Sequence, residues 1–135
     1  RRHRLRAETP QQMQPIDGFG FVGMLICADA FTPGIAATLA HQGARALVSS
    51  AAWGPGPHGP NGEWEAVSQA TLLPIFVCNR TGRERRIDFS MAESVLAHRG
   101  RRILSFTSQR SAILLVDWNF EKNELVGHSQ IAPIP

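Results

Sequence analysis

The stretch that decides the fold spans residues 19–51 and opens with FGFVGMLIC, a nearly continuous apolar run ending at Cys27. Such a run predicts a β-strand that is covered on both faces. Thr32-Pro33 then predicts a helix, with the threonine as N-cap and the proline in the first turn. Gly43 suits the C-terminal cap of that helix, and a second strand follows over 46–51. Strand, helix and strand in this order predict a βαβ unit with parallel strands.

The next segment is a loop rich in glycine and proline, WGPGPHGPNG, over residues 53–62. A loop of this composition at the end of a strand is a natural place for substrate contacts. A second helix is predicted over 63–72, and Pro74 ends it. A third strand is predicted over 75–78.

After Gly82 the pattern changes from parallel to antiparallel signals. A charged loop over 83–86 precedes three predicted strands, and His98-Arg99-Gly100 reads as a hairpin turn between the first two. The predicted strands are 89–97, 102–107 and 112–118. The tail, 119–135, shows no periodicity and is predicted to be an extended arm. Antiparallel strands beside a parallel unit predict one α/β domain with a mixed sheet.

Composition limits the function classes. The 135 residues suit a single domain, and 43% hydrophobic content is ordinary for a globular protein. The net charge of +3 comes almost wholly from scattered arginines without interleaved aromatics, because Lys122 is the only lysine. This favours a solvated basic surface over nucleic-acid binding.

Cysteine usage and hydropathy narrow the setting further. The two cysteines form no CxxC pair, and the five histidines show no ligand spacing, so we expect neither a disulfide framework nor a metal site. The apolar runs are too short to span a bilayer, and no leader opens the chain. We therefore expect a soluble cytoplasmic protein that binds neither membranes nor nucleic acid.

Cys27 is the candidate nucleophile. It follows a buried strand and precedes a turn into a helix, an arrangement similar to the elbow of α/β-hydrolases, although GxSxG is absent. Such a turn lifts the side chain clear of the sheet and directs backbone N–H groups, first that of Ala28, at the reacting atom. The alternative is a buried structural cysteine, and the local pattern leaves both open.

The sequence VGMLICADAFTP, from Val22 to Pro33, resembles the nucleophile motif of the nitrilase superfamily of carbon–nitrogen hydrolases. The resemblance covers nearly the whole chain in the right order. Its further anchors are Gly43-Ala44, Ser50–Trp53, His58–Pro60 with Trp64, Val77–Gly82, and Asp88-Phe89 with Ser94. It implies an αββα sandwich, of which this chain supplies the C-terminal half as a mixed sheet with two helices.

The resemblance also implies a reaction. Family members cleave a small amide or nitrile with a Glu–Lys–Cys triad, through a cysteine thioester and without metal or organic cofactor. It assigns the nucleophile to Cys27 and the oxyanion contact to the Ala28 backbone N–H. Trp53 and His58 flank the substrate loop, where Trp53 is expected to line the site and His58 either lines it or is merely exposed.

The chain departs from the family pattern at the triad. No lysine precedes Cys27; the opening residues place Arg2 where the lysine is expected, unless the lysine lies before Arg1. Glu8 resembles a positioning glutamate, or is an ordinary charged loop residue. The arginine and glutamate that the family shows near the second helix are absent. We therefore expect an N-terminally truncated domain that takes its catalytic Glu and Lys from a missing segment and is inactive alone.

Two functions remain open at this stage. One is an amidase- or nitrilase-like hydrolase, and the alternative is a non-catalytic nitrilase-like binding or scaffolding module. Half a sandwich exposes an apolar sheet face, so we expect a homo-oligomer or association with the missing half. Around the site, Asp29 and Asn79 are expected to bond backbone groups, and Cys78 to pack in the core. The substrate cannot be named from the sequence.

Overall fold

The computed structural model describes residues 12–32 and 34–131. Its elements alternate between strands and helices in the first part and are mostly strands in the second. In chain order they are β1 (Met13–Ile16), β2 (Gly20–Ile26), a 3₁₀ helix (Cys27–Phe31), α1 (Ile35–His41), β3 (Ala44–Ala51), α2 (Glu63–Thr71), β4 (Ile75–Asn79), β5 (Arg83–Glu84), β6 (Ile87–Asp88), a second 3₁₀ helix (Phe89–Met91), β7 (Ser94–His98), β8 (Arg101–Phe106), β9 (Ile113–Asn119) and β10 (Glu124–Ile131).

One mixed sheet organises these elements. Its six strands lie in the order β1-β2-β3-β4-β7-β8. The β2–β3 and β3–β4 pairs are parallel, as the βαβ pattern predicts, and β1, β7 and β8 pair antiparallel with their neighbours. The prediction of a mixed sheet with two α-helices is confirmed for the residues described. None of the helices among these residues is long and apolar enough to cross a membrane.

The hydrophobic core lies between the sheet and the two α-helices. Trp64 of α2 is fully buried there, and Leu39 of α1 contacts the same cluster. From the sheet, the cluster takes Leu25, Leu47, Ile75, Val77, Val95 and Ala97. Gly23 permits the close approach of α1, because a Cβ there would lie 3.1 Å from Leu39 Cβ of that helix; it would also lie 2.9 Å from Leu47 Cδ2 of β3.

The other face of the sheet is uncovered by the described residues over much of its area. Met24 and Ile26 are 42% and 66% exposed, so the expectation that both faces of β2 are covered is wrong within this part of the chain. The expectation that Cys78 packs in the core is also wrong, since its side chain lies exposed. Side chains alternate along a strand, and Cys78 lies on the strand face opposite Val77, which packs towards the helices.

The β9–β10 hairpin covers one part of that second face. Trp118 packs edge-on against Phe76 and His98, with ring centroids 6.3 and 5.2 Å apart. At the hairpin turn, Phe120 packs against Phe19, and the Arg45 guanidinium lies 4.5 Å from the centre of the Phe19 ring. Residues 124–131 of the expected extended arm form a strand that pairs with β9. Between hairpin and sheet lies an open, mostly apolar groove of about 820 Å³.

Two local predictions differ from the structure for identifiable reasons. Thr32 does not cap a following helix: its hydroxyl donates to the Ala28 carbonyl, 3.0 Å away, and α1 begins at Ile35 after Gly34. The predicted strand over 89–97 begins only at Ser94. Before it, the Asp88 carboxylate accepts from the Ser90 N–H at 3.0 Å and starts a 3₁₀ turn.

Candidate active site

The candidate site lies at the carboxyl edge of the parallel strands. Ile26 of β2 is in register with Ser50 of β3, and Ala51 is in register with Asn79 of β4. Cys27 follows Ile26 directly, so it leaves the sheet at the level of Ala51 and Asn79 on the neighbouring strands. This edge of an open parallel sheet is where ligand sites in α/β folds are found.

Cys27 itself occupies a strained backbone conformation. Its φ is +42°, in the left-handed region that non-glycine residues rarely adopt, and its side chain is partly buried. The chain turns there from β2 straight into the 3₁₀ helix. Strained residues of this kind cluster at functional sites, where the surrounding structure holds them in place. The elbow expected from the sequence is therefore present at Cys27.

Asp29 holds the elbow from the following turn. Its carboxylate accepts from the Ile26 N–H at 2.9 Å and from the Gln12 side-chain amide at 3.2 Å. The same Gln12 amide donates to the Met24 carbonyl, 3.0 Å away. Asp29 thus bonds neighbouring backbone, as the sequence predicts, and ties the turn back to β2.

Ala28 lies in the first turn of the 3₁₀ helix and is exposed. The first N–H groups of a helix find no acceptor within that helix. The Ala28 N–H is one of these groups, which is the requirement for an oxyanion contact. Its carbonyl, by contrast, accepts the Thr32 hydroxyl. The oxyanion role of Ala28 stays a prediction.

An aromatic wall stands beside the elbow. Phe31, which ends the 3₁₀ helix of Cys27, is 53% exposed, and its ring centroid lies 5.1 Å from that of Trp53. Trp53 in turn packs edge-on against buried Trp64 at 5.5 Å. The indole N–H of Trp53 donates to the His58 carbonyl at 3.1 Å and so folds the glycine–proline loop back over the ring. The His58 side chain is exposed.

Asn79 joins three segments at the sheet edge. Its side-chain oxygen accepts from the Trp53 N–H and the Arg80 N–H, both at 2.9 Å. Its amide donates to the Trp53 carbonyl at 3.0 Å and to the Glu93 carbonyl at 3.1 Å. These bonds use both donors and both acceptor positions of the side chain. The expected backbone role of Asn79 is confirmed, and it extends well beyond its own turn.

Glu93, whose backbone carbonyl accepts from Asn79, has a carboxylate that is already hydrogen-bonded by other side chains. Ser105 donates to it at 2.6 Å and Arg102 also bonds it; these two contacts hold the pKa of Glu93 below its ordinary value. A proton shuttle works best with a pKa near the operating pH. Glu93 is thus poorly suited to serve as the general base, while Glu8 and Arg2 lie outside the described residues.

The sequence did not indicate three features of the site: the contact of Phe31 with Trp53, the bond from Gln12 to Asp29, and the bonds by which Asn79 holds the Trp53 backbone. Phe31 had a local signal, since it lies four residues after Cys27. The groove on the open sheet face does not include Cys27, although Ile26 and Asn79 line it. Among the described residues, no three His, Cys, Asp or Glu side chains converge as a metal ion would require.

Comparison with known proteins shows which proteins this chain is similar to. No family model matches the chain. A probable nitrilase of Schizosaccharomyces pombe is 25% identical over 100 residues, which cover 71% of this chain and 36% of the relative. The chain thus spans about a third of the length of the curated relative that it matches.

Solved structures share the fold. Nit3 of Saccharomyces cerevisiae, a member of branch 10 of the nitrilase superfamily, matches with a TM-score of 0.62 at 18% identity over 71% of this chain and 36% of its own. A mutant amidase from Nesterenkonia sp. AN1, carrying acrylamide added at its active-site cysteine, matches with a TM-score of 0.62 at 19% identity over 73% and 40%. The chain is therefore similar in sequence to a probable nitrilase and shares the fold of solved members of the nitrilase superfamily.

Proposed function

We propose that the chain is the cysteine-bearing part of a carbon–nitrogen hydrolase that cleaves a small amide or nitrile through a thioester on Cys27. The observation that carries the proposal is the left-handed backbone of Cys27 at the carboxyl edge of the parallel strands. A thiol that only filled space would gain nothing from that strain. The similarity to an amidase with an active-site cysteine supports the same role.

The chemistry follows from the placement of the sulfur. For an amide, the Cys27 thiolate attacks the carbonyl carbon, and the negative charge that develops on the oxygen is stabilised by the Ala28 N–H. The C–N bond then breaks, the nitrogen takes a proton and leaves as ammonia or an amine, and water hydrolyses the thioester. For a nitrile, attack on the carbon and protonation of the nitrogen give a thioimidate; water then adds to its carbon, and ammonia leaves to form the same thioester.

Proton transfer in this proposal requires groups from elsewhere. Lys122 is the only lysine, and its position in the turn between β9 and β10 is remote in sequence from Cys27. In this proposal the lysine of the family reaction comes from a segment beyond these 135 residues, and the glutamate comes from the same segment. The uncovered sheet face would bind that segment or a second copy of the chain, because exposed Met24 and Ile26 favour burial. Sedimentation velocity distinguishes a monomer from a self-associated chain.

Thiol labelling tests the nucleophile without requiring turnover. In a Cys78→Ser background, so that only one thiol remains, we expect acrylamide to add to folded Cys27 about tenfold faster than to the same thiol in urea-unfolded chain. The control is Cys27→Ala in the wild-type background, where only exposed Cys78 reacts. A folded rate equal to or below the unfolded rate would instead support the non-catalytic module. That alternative draws on the missing lysine and on the position of the groove away from Cys27.

A further inference from the structure

A series of contacts runs from the end of β4 to Cys27. Asn79 bonds both the N–H and the carbonyl of Trp53, so the backbone of that residue is fixed at both of its polar groups. The Trp53 ring then contacts the Phe31 ring, 5.1 Å away between centroids. Phe31 ends the five-residue helix that Cys27 begins. The first two links join residues distant in sequence, the third lies within one short helix, and together they connect the end of β4 to the elbow.

The first link, from Asn79 to Trp53, is rigid because every polar group of the Asn79 side chain is hydrogen-bonded. The four side-chain bonds of Asn79 are part-buried or at the sheet edge, and its own N–H donates to the Ser94 hydroxyl at 2.9 Å. A partly buried amide whose groups are all bonded resists reorientation, because any rotation leaves polar atoms without their partners. Trp53 has an equally restricted side chain, held between two rings and by the His58 carbonyl.

The second link acts on a strained element. A left-handed cysteine persists only when its surroundings hold it there. Asp29 holds the N-terminal side of the 3₁₀ helix through the Ile26 N–H. On the C-terminal side, the Phe31 ring contacts Trp53 and remains 53% exposed. Ala30, buried in the core cluster, holds the middle of the helix, and the Trp53 ring contacts its last residue. A displacement of Trp53 would therefore change the surroundings of the helix that carries the sulfur.

We infer that Asn79 is a positioning residue for Cys27, acting through the Trp53 backbone and the Phe31 ring. It touches neither the sulfur nor a substrate in this role; it fixes the wall against which the nucleophile helix rests. The inference rests on the proposed function, because it concerns the reactivity of the same thiol.

The test compares acrylamide addition to Cys27 in the Cys78→Ser background at a temperature where every variant is folded. We expect Asn79→Ala to lose the acceleration of the folded state, so that its rate falls to that of the unfolded chain. The matched control is Asn119→Ala: Asn119 caps the N–H groups of Glu121 and Lys122 at 2.9 Å in a remote turn. Its removal costs two side-chain bonds to backbone, against the four that Asn79→Ala loses, and should leave the rate unchanged. Thermal denaturation of each variant reports the loss of stability separately.

A double-substitution cycle tests the route. If Asn79 acts through Phe31, then Phe31→Ala slows addition by itself, and adding Asn79→Ala slows it no further. Multiplicative slowing in the double variant would overturn the route, and an unchanged rate in folded Asn79→Ala would overturn the inference while leaving the proposed function intact. Wild-type Cys27 reacting no faster than the unfolded thiol overturns both.

Discussion

Replacing Cys27 by glycine should give a more stable protein than replacing it by alanine. The cause is the φ of +42° at this position, which costs an L-residue about 1–2 kcal/mol and costs glycine almost nothing. Glycine also loses more chain entropy on folding, a disadvantage of about 0.5–1 kcal/mol relative to alanine. The balance favours Cys27→Gly by about 0.8 kcal/mol, which corresponds to a Tm difference of roughly 3 °C for a domain of this size.

Thermal and urea denaturation of the two variants, measured side by side, give this difference directly. Arg99 offers a matched control, since its φ is +52° in the turn between β7 and β8, away from the site. Arg99→Gly should likewise be more stable than Arg99→Ala. Equal stabilities at Cys27, or an advantage for alanine, would refute the idea that the elbow stores strain, and with it the main structural support for the nucleophile. The same preference at Arg99 shows that the assay resolves such an effect.

Three further predictions concern stability. Gly23→Ala should lower the unfolding free energy by about 1–3 kcal/mol in urea titrations, because the new Cβ meets a leucine carbon at 2.9 Å, whereas Gly127→Ala, with open space, should not. The pKa of Glu93 is lowered from 4.5, chiefly by the hydrogen bond from Ser105, so the ionised carboxylate stabilises the folded state above pH 4.5 and this stabilisation is lost as the pH falls below that value. In Glu93→Gln the urea midpoint should therefore vary less with pH in that range. The pKa of His98 is lowered from 6.5, chiefly by burial, so protonation opposes folding, and Tm should fall as the pH drops below 6.5, less so in His98→Gln.

Local patterns predicted the part of the fold that local forces decide. The run FGFVGMLIC predicted a strand that ends at Cys27, and the cap at Gly43 predicted the end of α1. An apolar run, however, does not record which chain segment covers each of its faces, so exposed Ile26 was not foreseeable. Thr32 was expected to cap the following helix, but the bond that its hydroxyl makes to Ala28 belongs to a 3₁₀ helix that the sequence does not signal.

Local sequence patterns also failed to predict the pairing of the tail and part of the site. The register between β10 and β9 shifts between Leu125 and Gly127, and this irregularity interrupts the alternation by which a strand is recognised. At the site, the position of Cys27 followed from its neighbours in sequence. The clamp on Trp53 did not, because Asn79 lies 26 residues away and reaches it only through the pairing of β3 with β4.

The mixed order of the sheet has a consequence for how the chain folds. Residues paired between β7 and β8 lie at most about twelve positions apart in the sequence. Residues paired between β2 and β3, or between β3 and β4, lie roughly 25 positions apart, because a helix intervenes in each crossover. Local hairpins close in microseconds, whereas distant parallel pairs first bear the entropy of a long loop. The edge that carries Cys27 should therefore be assembled late, on a β7–β8 hairpin that is already formed.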